Sequence, residues 1–481
     1  MHHSKVIQFL KKLTPQELKK LDRYIHSPYF QIPPKVHQLF DLLAKHHPDF
    51  DHKSLAKNRL FQKLYPEEPY KADKLYSLNK MLLRAVMDFM VDLRIRENGI
   101  TYHLQALQVL RERGLDQYMN TNLKDAHQSF KKYPYKDGDF FYHNFRLFEI
   151  DTQWTLQQNN RAVEAGLQTT LESLDHFFVT EKLRFACAII NRKKILKENT
   201  EITFLDDVLA YCEKANLESS PTLEMYFQTY RMLTEEMEDA ERPYRRLRIL
   251  LPTMHKKIPH EELVNMYSFV LNYCIGRYKM GNIEFLRDML DIYKILLDKG
   301  LLFIMGLPIN LILKNLVTVA LKLEEYKWTE RTILKMRDKL PEAYQEGTIS
   351  YNLANLYFAK GEYDVSLKHL RTVAFIDPFY RIAYDMLLMK NYYECEELES
   401  LLSRCHAFYT YLKRNKTLAE RNREAYMNMA KFIRKLARAK FEGKSHPDKL
   451  QTELDQYALL VERDWFKRKI EELRELRGVK S

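Results

Sequence analysis

Three imidazoles and two carboxylates fall within seven residues at His46, His47, Asp49, Asp51 and His52, the densest group of metal-ligating side chains in the 481-residue chain. Such groups suit zinc, but ligands act only when spacing or fold brings them to one point. This set brackets Pro48 without helical spacing and reads as a solvated loop between helices. Asp137-Gly138-Asp139 offers two carboxylates without the further oxygen donors of a calcium loop, and reads as a turn. His260-Glu261-Glu262 begins like a zinc-protease helix and then lacks the second histidine. The phosphate-cradling patterns Gly-x-x-x-x-Gly-Lys-Ser/Thr and Gly-x-Gly-x-x-Gly are absent, as is the nucleophile turn Gly-x-Ser-x-Gly. The five cysteines (Cys187, Cys212, Cys274, Cys395, Cys405) are scattered with no Cys-x-x-Cys, so neither a disulfide framework nor a zinc knuckle is expected, and they read as buried free thiols. No catalytic residue, metal or cofactor is therefore expected.

Charge offers a second chemistry. Lysine and arginine exceed aspartate and glutamate by 12, and ten basic residues between Lys413 and Lys440 face only Glu420 and Glu424. On a helix Lys431, Arg434, Lys435 and Arg438 form one stripe, opposite Tyr426, Met429, Ile433 and Leu436, which should face a core. The exposed stripe is a candidate anion-binding surface, and Arg242, Arg245, Arg246 and Arg248 form a smaller one. The sequence carries no helix-turn-helix with a basic recognition helix and no RNP-like run, so a nucleic-acid partner is the weaker expectation. Tyr351, Tyr357, Phe358 and Tyr363 fall at packing positions rather than on a stacking platform.

The elements that must carry these residues are helical. With only 12 glycines, and with leucine, lysine and glutamate abundant, the chain serves helices well and tight-turned strands poorly. At Leu13-Thr14-Pro15-Gln16-Glu17-Leu18 an N-cap threonine, a proline at the first helical position and a capping-box glutamate set a helix start. Helices are expected at Leu55 to Tyr65 and Lys71 to Arg96, so residues 1–99 read as an N-terminal helical cap. From residue 100 to 380 breaks recur about every 20 to 25 residues, the rhythm of helical hairpins. Residues 381–481 read as a degenerate repeat followed by capping helices, Leu418 to Phe441 and Lys449 to Leu476. The apolar run Leu301 to Leu313, interrupted by Gly306, Pro308 and Asn310, is too short to span a bilayer and reads as a buried corner. The N-terminus lacks a secretory pattern, and a cytoplasmic location without membrane contact is expected.

Between Tyr351 and Pro378, Leu353, Ala354 and Tyr357 recur at helical spacing, Gly361 breaks the helix with Tyr363 behind it, and Ser366, Leu370 and Val373 carry a second helix to Asp377-Pro378. At these positions the segment resembles a tetratricopeptide repeat, with small residues at Ala354 and Ser366 where the helices cross. Aligning Asn272, Asn315 and Asn352 places a turn nine residues after each, at Gly281, Glu324 and Gly361, and two of the turns continue as Glu-Tyr. The resemblance implies an all-α, right-handed superhelix of antiparallel helix pairs, an α-solenoid with helical caps at both ends. It also implies that Asn272, Asn315 and Asn352 line a groove holding an extended peptide, the carboxamide being both donor and acceptor. Asn355, Lys279, Lys322 and Tyr278, a turn along the same helices, are secondary candidates. The alternative is that the asparagines bond neighbouring turns within the array. The Leu-Thr-Pro opening, the Leu174-Asp175-His176 to Asn191-Arg192 segment and the Glu462-Arg463-Asp464-Trp465 ending resemble those of uncharacterised bacterial all-helical proteins. The expected function is a non-catalytic scaffold for a protein or peptide partner.

Overall fold

The structure, a computed structural model, describes residues 4–478 apart from 98, 159–163, 194–199, 218–219, 237, 306–307, 374–377, 416–417, 419 and 444. Among the described residues the regular elements are 23 α-helices and short 3-10 turns, with no strand. They form two compact units. One comprises Met1–Ala188, Thr200–Phe227 and Lys256–Ile258, the other Ile189–Asn199, Gln228–His255 and Pro259–Ser481.

In the first unit, α1 (Lys5–Leu10), α2 (Pro15–Ile25), α3 (Pro34–Ala44), α4 (Lys57–Leu64) and α5 (Ala72–Glu97) close over one core that includes Ile7, Leu21, Phe40, Phe61 and Leu82. The start of α2 is the expected reciprocal cap: the Thr14 amide donates to Glu17 Oε2 at 2.6 Å and the Glu17 amide to Thr14 Oγ1 at 3.2 Å. A second core, with Leu107, Phe130 and Trp154, joins α6 (Gly99–Glu112), α7 (Met119–Lys131) and α8 (Gly138–Gln157). Asp137 is more than a turn residue. Its buried side chain caps α8 by accepting from the Phe140 amide at 2.8 Å. The helix α10 (Leu205–Lys214) belongs to this unit, and α9 (Glu164–Lys193) and α11 (Pro221–Thr234) each have residues in both units.

The second unit is built from α12 (Glu241–Thr253), α13 (His260–Lys279), α14 (Phe285–Asp298), α15 (Ile309–Lys322), α16 (Tyr326–Met336), α17 (Glu342–Ala359), α18 (Tyr363–Arg371), α19 (Pro378–Glu394), α20 (Leu398–Arg414), α21 (Glu420–Glu442), α22 (Pro447–Gln456) and α23 (Arg463–Leu476). Its most regular feature is one turn used four times. After α13, α15, α17 and α19 the chain passes through a left-handed residue, Gly281 (φ 104°), Glu324 (58°), Gly361 (80°) and Glu396 (62°). In each case the next amide reaches back to the carbonyl five residues earlier: Asn282 to Arg277 at 3.2 Å, Glu325 to Ala320 at 3.0 Å, Glu362 to Tyr357 at 2.9 Å and Glu397 to Tyr392 at 2.9 Å. This is the 6→1 closure of a Schellman cap, which satisfies an otherwise orphaned helical carbonyl and reverses the chain.

Packing follows from these reversals. Each of α14, α16 and α18 lies against the helix before it and the helix after it, and α17 also touches both α15 and α19. The α17–α18 crossing is close because its residues are small: Ala354 and Ser366 are fully buried, and Ser366 Oγ donates to the Ala354 carbonyl at 2.8 Å. The first helix of this pair begins at Glu342, directly after Pro341. The expected stop at Asp377 lies outside the described residues. Beyond α19, Phe408, Phe432, Trp465 and Phe466 share a further core.

The single helix expected from Lys449 to Leu476 is two. The chain leaves α22 at Tyr457 and re-enters a helix after Glu462, whose φ is 60°. Two side chains fix this interruption. The Arg463 guanidinium donates to the Leu454 carbonyl at 2.7 Å and to the Tyr457 carbonyl, and Asn428 Nδ2 donates to the Leu459 carbonyl at 2.9 Å. Among the described residues, no helix is long and apolar enough to cross a membrane.

Candidate functional site

Asn272, Asn315 and Asn352 each sit seven residues before the end of a helix that closes with the shared turn. Equal register does not give equal exposure. Asn272 on α13 and Asn315 on α15 are exposed, whereas Asn352 on α17 is completely buried. The cause is packing, because α17 has helices on both flanks, α15 and α19, in addition to its own hairpin partner. Asn352 Nδ2 donates to the Thr348 carbonyl of its own helix at 2.8 Å, and its Oδ1 is buried without a hydrogen bond. A peptide lying on the surface cannot reach it, so its expected place in a groove is corrected to an internal bond of α17.

The remaining candidates divide between two helices. Asn272 Nδ2 donates to Asn191 Oδ1 at 3.2 Å, an amide pair bridging residues 81 apart in sequence. Lys279 is exposed one residue beyond Tyr278. Lys322, at the end of α15, reaches across to α13, where its Nζ donates to the Tyr278 hydroxyl at 2.9 Å and stands 5.3 Å from that ring's centroid. Asn355 is half-buried on α17 and bonds the Tyr351 hydroxyl, whose pKa burial pushes up to about 12. The structure thus brings Lys322 to Tyr278, with the exposed Lys279 next in sequence, and leaves Asn315 exposed on the Lys322 helix.

Two residues of this region are invisible to local sequence patterns. Lys390 on α19 donates to Glu462 Oε2 at 2.8 Å, over 72 residues of chain. The Lys390 charge is the largest influence holding the Glu462 carboxyl below its ordinary range, ahead of its hydrogen bond and of the charges of Lys322 and Arg468. Glu462 keeps about a third of its side chain exposed, so water screens part of this attraction. Cations from α15, α19 and α23 therefore converge on one carboxylate. Its neighbour helix is fastened nearby. Lys469 Nζ lies 2.9 Å from Glu394 Oε1 and 2.8 Å from Glu472 Oε2, and Trp465 Nε1 donates to Glu394 Oε1 at 3.2 Å.

The basic stripe on α21 has the expected orientation. Lys431, Arg434, Lys435 and Arg438 are exposed, while Met429, Ile433 and Leu436 are buried and Tyr426 is half-buried. Lys435 is neutralised by Glu453 at 2.6 Å, and Lys431 Nζ lies 5.5 Å from the Tyr409 ring centroid. The smaller arginine cluster is largely engaged: Arg245 pairs with Glu241, and Arg248 with Asp288 at 3.2 Å and Asp291 at 3.7 Å.

Cys187, Cys212, Cys274 and Cys405 are buried and Cys395 is half-buried, all as free thiols. Burial raises the Cys212, Cys274 and Cys405 pKa values to about 12, so these thiols stay protonated and unreactive near neutrality. In the His46 loop the group is tied to itself and to the core: Ser54 Oγ bridges His52 Nδ1 at 2.8 Å and His46 Nε2 at 3.0 Å, and His47 Nε2 bonds the Leu13 carbonyl at 2.8 Å. Compared with protein-family models, with curated proteins and with solved structures, the chain finds no match.

Proposed function

We propose that this protein is a non-catalytic scaffold of tetratricopeptide-like kind, an α-solenoid whose successive helix pairs present one polar face to an extended segment of a partner protein. The face is that of α13 and α15, with Asn272 and Asn315 as amide contacts and Lys279, Lys322 and Tyr278 at its turn end. The observation that carries this reading is the four-fold use of one Schellman turn, which returns the chain in the same way after each of four helices and keeps α15, α17 and α19 side by side. Lys279 and Lys322, both exposed at the turn end of this face, support a segment bearing acidic side chains. Replacing Asn315 and Lys322 together with alanine is the test. Both are exposed, so helicity and melting temperature should be unchanged while the partner cross-linked in the native cell is lost. Retention of that partner would refute the reading.

A second reading rests on the exposed basic stripe of α21, where Lys431, Arg434 and Arg438 stand beside the Glu453-paired Lys435 and suit a phosphate-bearing partner such as nucleic acid. Phosphate binding falls steeply with salt through counterion release, whereas amide-held peptide binding falls little. Binding that disappears as salt rises, and that needs Arg434 and Arg438, would favour this surface over the α13–α15 face.

A further inference from the structure

Between α20 and α21 the basic stripe borders a concave pocket of about 300 Å³, lined by Cys405, His406 and Tyr409 from α20 and by Ala430, Lys431 and Arg434 from α21. Its floor and its rim differ in kind. Cys405 and Ala430 are buried, and the small Ala430 side chain leaves room where the two helices pack against each other. On the rim, His406 and Tyr409 are three residues apart on one helix and Lys431 and Arg434 three apart on the other, so each pair shares one face of its helix. Lys431 Nζ stands 5.5 Å from the Tyr409 ring centroid, which joins the two sides of the rim. Burial pushes the Cys405 thiol up and the Arg434 charge opposes it, so the guanidinium lies close to that floor.

The charges on this rim are uncompensated. Farther along α21 the protein supplies a carboxylate for each lysine, Glu453 for Lys435 at 2.6 Å and Glu396 for Lys440 at 3.0 Å. Among the described residues neither Lys431 nor Arg434 has such a partner, and neither has His406. Like charges one turn apart on a helix repel, so the space they share with His406 favours an anion. The donor set says which anion. An arginine fork grips two oxygens, a lysine adds a point charge at another, and an imidazole N–H adds one more donor. A carboxylate or a phosphodiester offers two free oxygens, whereas a phosphomonoester offers three and nearly twice the charge.

We infer that His406, Lys431 and Arg434 form a pocket for one dianionic phosphate group, carried as the terminal phosphate of a small ester or as inorganic phosphate. The inference rests on reading α21 as an anion-binding surface, and it narrows that reading from a run of phosphates along the stripe to a single group held between two helices. Arg438 belongs to the stripe but does not line the pocket, and His406 lines the pocket but stands on the other helix. The two readings therefore need different residues. His406, Lys431 and Arg434 are all exposed, so each can be altered without opening the core.

The test titrates the full chain in a calorimeter with phenyl phosphate, inorganic phosphate, dimethyl phosphate and a single-stranded oligonucleotide lacking a terminal phosphate. One phenyl phosphate per chain is expected, bound more tightly than the diester. Its affinity should fall about 10- to 100-fold in K431Q and in R434Q, the effect of losing a charge-assisted hydrogen bond, and should fall in H406Q as well. R438Q and the charge-neutral double variant K435Q/E453Q should bind it as the parent does. Circular dichroism on each variant checks that the helices persist. Phenyl phosphate bound more tightly than inorganic phosphate identifies an ester as the ligand, and the reverse order identifies the free ion. Equal affinity for monoester and diester, or phenyl phosphate binding indifferent to H406Q and R434Q, would overturn the inference. Oligonucleotide binding that needs Arg434 and Arg438, without phenyl phosphate binding, would overturn the pocket and leave the stripe reading standing; phenyl phosphate binding without oligonucleotide binding would do the opposite.

Discussion

Substituting Gly361 with alanine and Glu324 with glycine should move stability in opposite directions, because both residues occupy the same left-handed position of the same turn. A left-handed conformation costs a residue with a Cβ about 1–2 kcal/mol. At Gly361 an added Cβ would meet nothing within 4 Å, so no clash contributes and the backbone alone sets the cost. Alanine restricts the unfolded chain relative to glycine and returns about 0.4–1 kcal/mol. The expected net effect of G361A is a destabilisation of about 1 kcal/mol. Glu324 already bears the same strain and is exposed, so E324G relieves it and returns the flexibility, for a net gain of about 0.5–1 kcal/mol. Urea titrations followed by circular dichroism and by tryptophan fluorescence measure both, with an unchanged slope showing that the surface exposed on unfolding is the same in variant and parent. Hydrogen exchange at the Glu362 and Glu325 amides localises the change to the turn. If G361A were neutral and E324G destabilising, the equivalence of the turns, and with it the repeat on which the scaffold reading stands, would fail.

Three further outcomes are expected. Thr14→Ala removes the N-cap acceptor of α2 and should lower stability by about 1 kcal/mol in thermal denaturation; no loss would mean the capping box contributes nothing to the first core. Glu394→Ala takes a carboxylate from Lys469, which is only 10% exposed, and an acceptor from Trp465. The cost is expected near 3 kcal/mol, at the lower end for a broken buried pair because Glu472 remains, with increased protease sensitivity of α23 as the second readout. Glu462 has a folded-state pKa below its ordinary 4.5, so its stabilisation is present above that value and disappears as pH falls through the lower one. Glu462→Gln should therefore flatten the acid limb of the stability profile below pH 4.5, and an acid limb identical to the parent's would show that Lys390 does not hold this carboxylate.

Local signals in the sequence carried much of the architecture. The capping box at Thr14, the burial of Ala354 and Ser366, the turns at Gly281, Glu324 and Gly361 and the outward stripe of α21 all depend on residues within a few positions of one another. The failures have a common physical origin. Asn352 occupies the register of Asn272 and Asn315 but is buried, because exposure depends on which helices lie alongside α17, information held in residues far away along the chain. Lys390 and Glu462 meet over 72 residues, and no periodicity encodes that meeting. The break between α22 and α23 was hidden for a related reason, since Tyr457 to Glu462 contains neither glycine nor proline and is held open by Arg463 and Asn428.

The left-handed turns stand at positions 281, 324, 361 and 396, separated by 43, 37 and 35 residues. Because both borders of each interval have the same backbone shape and the same amide-to-carbonyl closure, an interval can be duplicated or lost by unequal exchange and the new seam is already compatible. Such a chain can change length in whole modules without redesigning a joint. Insertions inside a helix have no such freedom, since they rotate every following side chain about the axis and expose what was sealed.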